Sequence, residues 1–191
     1  MEKTTRKEQI LASARRVFAR CGYHETTVSH IIEESGIARG TFYLYFESKR
    51  DILNEILEEI TKSVKSVIVR IDPAKDVFGQ LRANIVKVLS IFQRDADVPK
   101  ILLNGAVGLD KGFDNQLNLF YRDIASIIKD SLDLGVSMDI VRKLDTNLIS
   151  YASLGVIKEI VYHQTVTGNL EVEADSVIDE LLSFVLRGIL K

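Results

Sequence analysis

Two prolines, Pro73 and Pro99, are all that interrupt a chain of 191 residues. Proline breaks helices and otherwise favours loops and sheet edges. Its scarcity therefore leaves long stretches in which one regular structure can run. Through most of them apolar residues recur at i, i+3, i+4 and i+7, and period-two alternation is scarce. The pattern predicts an all-α chain. A composition of 46% hydrophobic and 27% charged residues allows a buried core and argues against general disorder. No apolar run approaches the roughly 18 residues of a membrane span, and "MEKTTRKEQI" is basic without the apolar stretch of a secretory signal. A lone cysteine, Cys21, excludes an internal disulfide framework and suits a reducing cytosol, so a cytoplasmic protein is expected.

Helix signals divide the chain. A capping box at "TRKE" predicts a first helix from Thr5, with Glu8 reaching back, to about Arg20; its inner stripe is Ile10, Ala14, Val17 and Phe18. Gly22 ends it. The second helix is expected from Thr27 or Val28 to Ser35, Gly36 turns the chain, and a third covers Arg39 to Phe46. Ser48 and Asp51 form the start signal of a fourth, running to about Arg70. Later helices are expected near residues 75–93, 98–107, 114–132, 138–166 and 174–190. The organisation predicted is an N-terminal three-helix head, residues 1–47, followed by a helical bundle over residues 48–191. The net charge of −2 is divided unevenly. Residues 1–50 carry nine Lys/Arg against six Asp/Glu, and residues 51–191 carry sixteen against twenty-one. A basic head on an acidic body fits a nucleic-acid binder with a separate second domain.

The third helix, within "ARGTFYLYFESKRD", says what the head is for. At 100° per residue Phe42 and Phe46 share one face and should point inward. Gly40 and Leu44 fall opposite, flanked by Thr41 and Tyr43, with Arg39 and Tyr45 at the edges. An outward face of glycine, threonine, leucine and tyrosine lacks the charge expected of a helix left in water. It suits a surface that becomes covered. Glycine admits a close phosphate backbone, Thr41 and Leu44 offer methyl groups to thymine, and Arg39 can fork onto guanine. The hydroxyls of Tyr43 and Tyr45 can bond phosphate, as can Thr27 at the start of the second helix. Lys49, at the first turn of the fourth, adds positive charge. Helix, glycine turn, helix is the layout of a helix-turn-helix reader.

"GYHETTVSHIIEESGIARGTFYLYFESKRDIL", residues 22–53, resembles the DNA-binding head of TetR/AcrR-type transcriptional regulators. The matching positions are Gly22–Tyr23, Thr26–Thr27, Ile31, Gly36–Ile37, Gly40–Thr41–Phe42–Tyr43, Tyr45–Phe46 and Lys49. The resemblance covers about residues 5–55; the rest matches in helical layout and length only. Ala38 stands where a Ser or Thr often caps the reading helix, and His30 stands where an acid would complete a capping box.

The resemblance implies a homodimer that binds double-stranded DNA at a palindromic operator in the bacterial nucleoid. It also implies a body that holds a small-molecule inducer and, by the usual outcome for such dimers, repression. For the dimer interface the candidates are Leu148, Ala152 and Gly155 on one late helix and Ile178, Leu182, Val185 and Ile189 on the last. For the ligand cavity they are Phe92, Leu103, Asn104, Val107, Phe120, Tyr121, Tyr151, Leu154 and Ile157. His24, His30 and His163 show no metal-ligand spacing, and neither a nucleophile elbow nor a glycine-rich phosphate loop is present. No metal, cofactor or enzyme activity is expected. Two other readings stay open from the residues: a helical ligand-binding protein or enzyme with a vestigial head, and a DNA-binding dimer blind to ligand.

Overall fold

A computed structural model describes residues 3–72, 74–95, 97–103, 111–167 and 174–189. These form helices joined by turns, with no strand among the described residues. In order they are α1 (Lys3–Cys21), α2 (Val28–Ser35), α3 (Arg39–Tyr43), α4 (Lys49–Val67), α5 (Val77–Arg94), α6 (Asp97–Leu103), α7 (Lys111–Ser137), α8 (Thr146–Tyr162) and α9 (Ala174–Ile189). A π turn at His163–Thr167 continues α8. Among the described residues no helix is long and apolar enough to cross a membrane. The chain divides into two compact units, Met1–Ile60 with Asp95–Phe120, and Thr61–Arg94 with Tyr121–Lys191.

In the first unit α1 buries Ile10, Leu11, Ala14, Val17 and Phe18, a stripe one helical turn apart. The unit also buries Ile31 of α2, Phe42, Phe46, and Ile52, Leu53 and Ile56 of α4. Each such side chain contributes about 1.5–3 kcal/mol of burial. Two ion pairs fix how α4 lies along α1: Lys7 to Glu55 at 2.7 Å and Arg15 to Glu59 at 2.6 Å. Arg15 also reaches Asp95, just before α6, at 2.9 Å.

The second unit is built round Leu132 of α7, Val141, and Ile178, Leu182 and Ile189 of α9, with Leu81, Ile85 and Leu89 of α5 packed against them. Here the structure departs from the sequence reading. Gly135 does not end α7: the helix runs to Ser137, and the next begins at Thr146 rather than near residue 138. The stop is at Asp139, which takes a positive φ of 60°. Its N–H bonds the Val136 carbonyl, and the Ile140 N–H bonds the Gly135 carbonyl, which is a Schellman cap with aspartate in the usual glycine place. Gly135 serves packing instead, since a Cβ there would lie 2.6 Å from Val141 Cγ2. Asp145 then caps α8, its carboxylate accepting the Leu148 N–H at 3.0 Å.

Other boundaries also shift. Because α1 already starts at Lys3, Thr5 lies inside it, and α4 stops at Val67. The expected start of α4 holds: Ser48 Oγ accepts the Asp51 N–H at 3.3 Å.

Candidate nucleic-acid interface

The turn between α2 and α3 is closed at both ends. Thr27 caps α2, its Oγ1 accepting the His30 N–H at 3.2 Å. The Thr27 N–H in turn donates to His30 Nδ1 at 3.3 Å. An unprotonated imidazole nitrogen is a hydrogen-bond acceptor, so His30 completes the capping box that the sequence reading reserved for an acid. At the other end Gly36 takes a φ of 65°, and its N–H bonds the Ile32 and Glu33 carbonyls. That left-handed conformation is the one glycine adopts without a Cβ clash.

α3 starts without a side-chain cap, as Ala38 predicts, and is only five residues long. The expected extension to Phe46 is a looser turn, in which Leu44 and Tyr45 bond carbonyls three residues back. Two rings hold it from behind: Phe42 is fully buried and Phe46 nearly so. Phe42 also meets the Tyr43 ring edge-on, with centroids 5.3 Å apart. In front, Leu44 is 82% exposed and Tyr43 47% exposed. Arg39 and Gly40 are exposed, while Thr41 and Tyr45 are half-buried. The Arg39 guanidinium rests 5.7 Å from the Tyr43 ring centre. Gly40 has no positive φ, and a Cβ added there would meet nothing within 4 Å. Nothing inside the chain requires glycine at that place, where it costs helix stability.

Lys49 differs from the picture of a phosphate-facing cation. Its ammonium donates to the carbonyls of Tyr23, His24 and Thr26 at 2.8, 2.9 and 2.8 Å and lies 4.5 Å from the Tyr23 ring centre. An ammonium has three donors, and all three close the α1–α2 turn. The Tyr23 ring also stacks on Phe113 of α7 at 4.7 Å. Sequence reading noted Tyr23 only as a matching position, and nothing local signals its pairing with a phenylalanine ninety residues on.

The basic excess of the head is likewise largely paired. Glu34 takes Arg16 at 2.8 Å and Arg20 at 3.1 Å, and those bonds, Arg16's first, hold its carboxyl below the usual carboxylate range. Arg39 and Arg50 remain exposed and make no ion pair among the described residues.

In the second unit the sequence candidates separate. Leu154 is buried, Tyr121, Phe92 and Ile157 are half-buried, and Tyr151 is turned to the surface. Phe120 and Leu103, buried and half-buried, belong to the first unit. Asn104 and Val107 lie outside the described residues. Of the interface candidates, Leu148, Ala152 and Gly155 are exposed on one face of α8. Ile178, Leu182 and Ile189 are instead core: the apolar stripe of α9 faces the chain's own α5 and α7. The side chain of Val185 lies outside the described residues. Phe184, which the stripe omitted, is 73% exposed.

A capped helix, a left-handed glycine turn and a second helix with an uncharged, propped outer face define a helix-turn-helix DNA-binding protein. The family model for bacterial regulatory proteins of the tetR family matches residues 10–56. The fatty acid metabolism regulator protein of Bacillus subtilis is 43% identical over 58 residues, 30% of each chain. Over nearly the whole length, the fatty acid degradation regulator FadR from Bacillus halodurans superposes with a TM-score of 0.84 at 23% identity, covering 98% of both chains. FadR from Bacillus subtilis in complex with stearoyl-CoA gives 0.80 at 26% identity, covering 95% of this chain and 98% of that one. The head therefore matches the tetR family of bacterial regulatory proteins, and the whole chain shares the fold of these regulators.

Proposed function

We propose that the protein is a homodimeric repressor that leaves a palindromic operator when a small molecule binds its body. DNA contact is assigned within residues 1–47, ligand binding and dimerisation to residues 48–191. Arg39, Gly40, Thr41, Tyr43 and Leu44 meet the major groove, with Tyr45 and Thr27 beside the phosphates. Lys49 acts as a positioning residue that holds the α1–α2 turn. The observation that carries this reading is Gly40, a glycine with open space over it on a helix that glycine weakens. A close external partner accounts for it.

The dimer is assigned to the exposed face of α8, with Leu148, Tyr151, Ala152 and Gly155 at i, i+3, i+4 and i+7, and to Phe184 of α9. A short reading helix contacts few bases, and a two-fold pair doubles the readout at half-sites about 34–36 Å apart. The ligand is a small molecule with a substantial apolar part, a reading supported by the stearoyl-CoA bound in the Bacillus subtilis neighbour. It acts by favouring a conformation in which the two α3 helices no longer match successive grooves. Retention of genomic DNA fragments with and without cell extract tests the proposal. Specific fragments should be retained and then released by extract. Retention unmoved by any extract would leave a ligand-blind dimer, and no retention would remove the DNA assignment.

A further inference from the structure

Arg39 and Tyr43 are the first and last residues of α3, a spacing of four that puts two side chains on one face of a helix. The Arg39 guanidinium lies 5.7 Å from the Tyr43 ring centre. That ring is itself held. It stands nearly perpendicular to the Phe42 ring, at 81° with centroids 5.3 Å apart, and Phe42 is fully buried. A line of support thus runs from the core of the head through Tyr43 to a cation at the surface. Arg39 makes no ion pair among the described residues, whereas Lys7, Arg15, Arg16 and Arg20 are all committed to carboxylates. Its donors are open to a partner from outside.

The outer face of α3 has few groups that can read a base. Gly40 and Leu44 offer no polar side-chain atom, and Thr41 and Tyr43 one hydroxyl each. Arg39 alone among them carries a planar fork with parallel N–H donors. Guanine presents the matching pair of acceptors, O6 and N7, in the major groove. A guanidinium resting on an aromatic ring keeps its N–H edges free and, being already placed, loses less freedom when it binds.

We infer that Arg39 reads a guanine in each operator half-site, and that Tyr43, through its ring, is the positioning residue that aims it. Resting on the proposed DNA contact, this adds the base that is read and gives Tyr43 a role beyond its hydroxyl.

The test selects full-length wild type on randomised duplexes. Fluorescence anisotropy then gives affinities for the selected operator and for copies with each guanine replaced in turn. Replacing the guanine read in one half-site should cost wild type about tenfold to a hundredfold. Arg39→Ala should abolish that preference and keep those at other positions. Tyr43→Phe, which keeps the ring, should discriminate as wild type does; Tyr43→Leu should cut the ratio by about threefold, the order of an exposed cation–π contact. In an Arg39→Ala background Tyr43→Leu should change it no further. Melting temperature should hold throughout, since both side chains are exposed. An Arg39→Ala loss equal for all sequences would mark a phosphate contact and overturn the inference. So would a ratio unmoved by Tyr43→Leu, or one lost equally in Tyr43→Phe. A wild type that enriches no duplex would remove the DNA reading and this inference with it; enrichment indifferent to Arg39 would remove the inference alone.

Discussion

Lys49 sits over Tyr23, its ammonium 4.5 Å from the ring centre and 2.8 Å from the same residue's carbonyl oxygen. One side chain thus ties the start of α4 to the turn that orients α2 and α3. The carbonyls of His24 and Thr26 complete the set. Lys49→Met keeps the stem and removes all three charge-assisted bonds, so it should lower head stability by about 2–3 kcal/mol. The same variant decides whether Lys49 touches phosphate. The slope of log affinity against log salt should stay unchanged, whereas a lost phosphate contact would reduce it by about 0.9.

Gly40 allows stability and binding to be separated. Gly40→Ala meets open space and adds a better helix former, so melting temperature should hold or rise, by up to ~1 kcal/mol in stability. Operator affinity should fall, because the new methyl occupies the gap between α3 and its partner. Thermal melts and fluorescence anisotropy on one protein preparation check both halves. A variant that binds as well as wild type would remove the argument from glycine.

Two faces of α9 should behave in opposite ways. Phe184→Glu places a charge on an exposed ring position and should yield a folded monomer in analytical ultracentrifugation, as should Leu148→Glu on α8. Leu182→Ala, in the core of the second unit, should instead cost about 2–5 kcal/mol of stability. A monomer-forming Leu182→Ala with normal stability would reverse the assignment.

Acid should destabilise the chain through three carboxylates held below their usual range: Glu34 by Arg16 and Arg20, Asp133 by Lys129 and Thr146, and Asp179 by Arg82. A depressed carboxylate contributes stability that is present above its unfolded value of about 4 and is lost as pH falls through the folded one. Melting temperature should therefore be flat from neutrality to about pH 5 and drop below about pH 4. All three are surface groups, so added salt should shrink the drop. Glu34→Gln should flatten part of it.

Local signals explain what the sequence made legible. The inward placement of Phe42 and Phe46, the exposed Tyr43 and Leu44 and the Gly36 turn all follow from residues within one or two helical turns of each other. What escaped depends on contacts distant in the chain. Gly135 reads as a helix break until Val141 is seen against it. Asp139 ends α7 through its own left-handed backbone, which its residue type permits but does not announce. The α9 stripe of Ile178, Leu182 and Ile189 was correctly apolar, but periodicity cannot say whether a stripe faces its own chain or a second copy. The +3 charge of the head overstated its free cations, because Glu55, Glu59 and Asp95, counted with the body, pair with Lys7 and Arg15.

The central claim is that the outer face of α3, braced by Phe42 and Phe46, enters the groove of duplex DNA. Fluorescence anisotropy of an operator duplex selected from genomic fragments, titrated with wild type and Tyr43→Ala, tests it most directly. The account predicts an affinity loss of about a hundredfold, with melting temperature and dimer mass unchanged. Equal affinity of the two proteins for that duplex would contradict it.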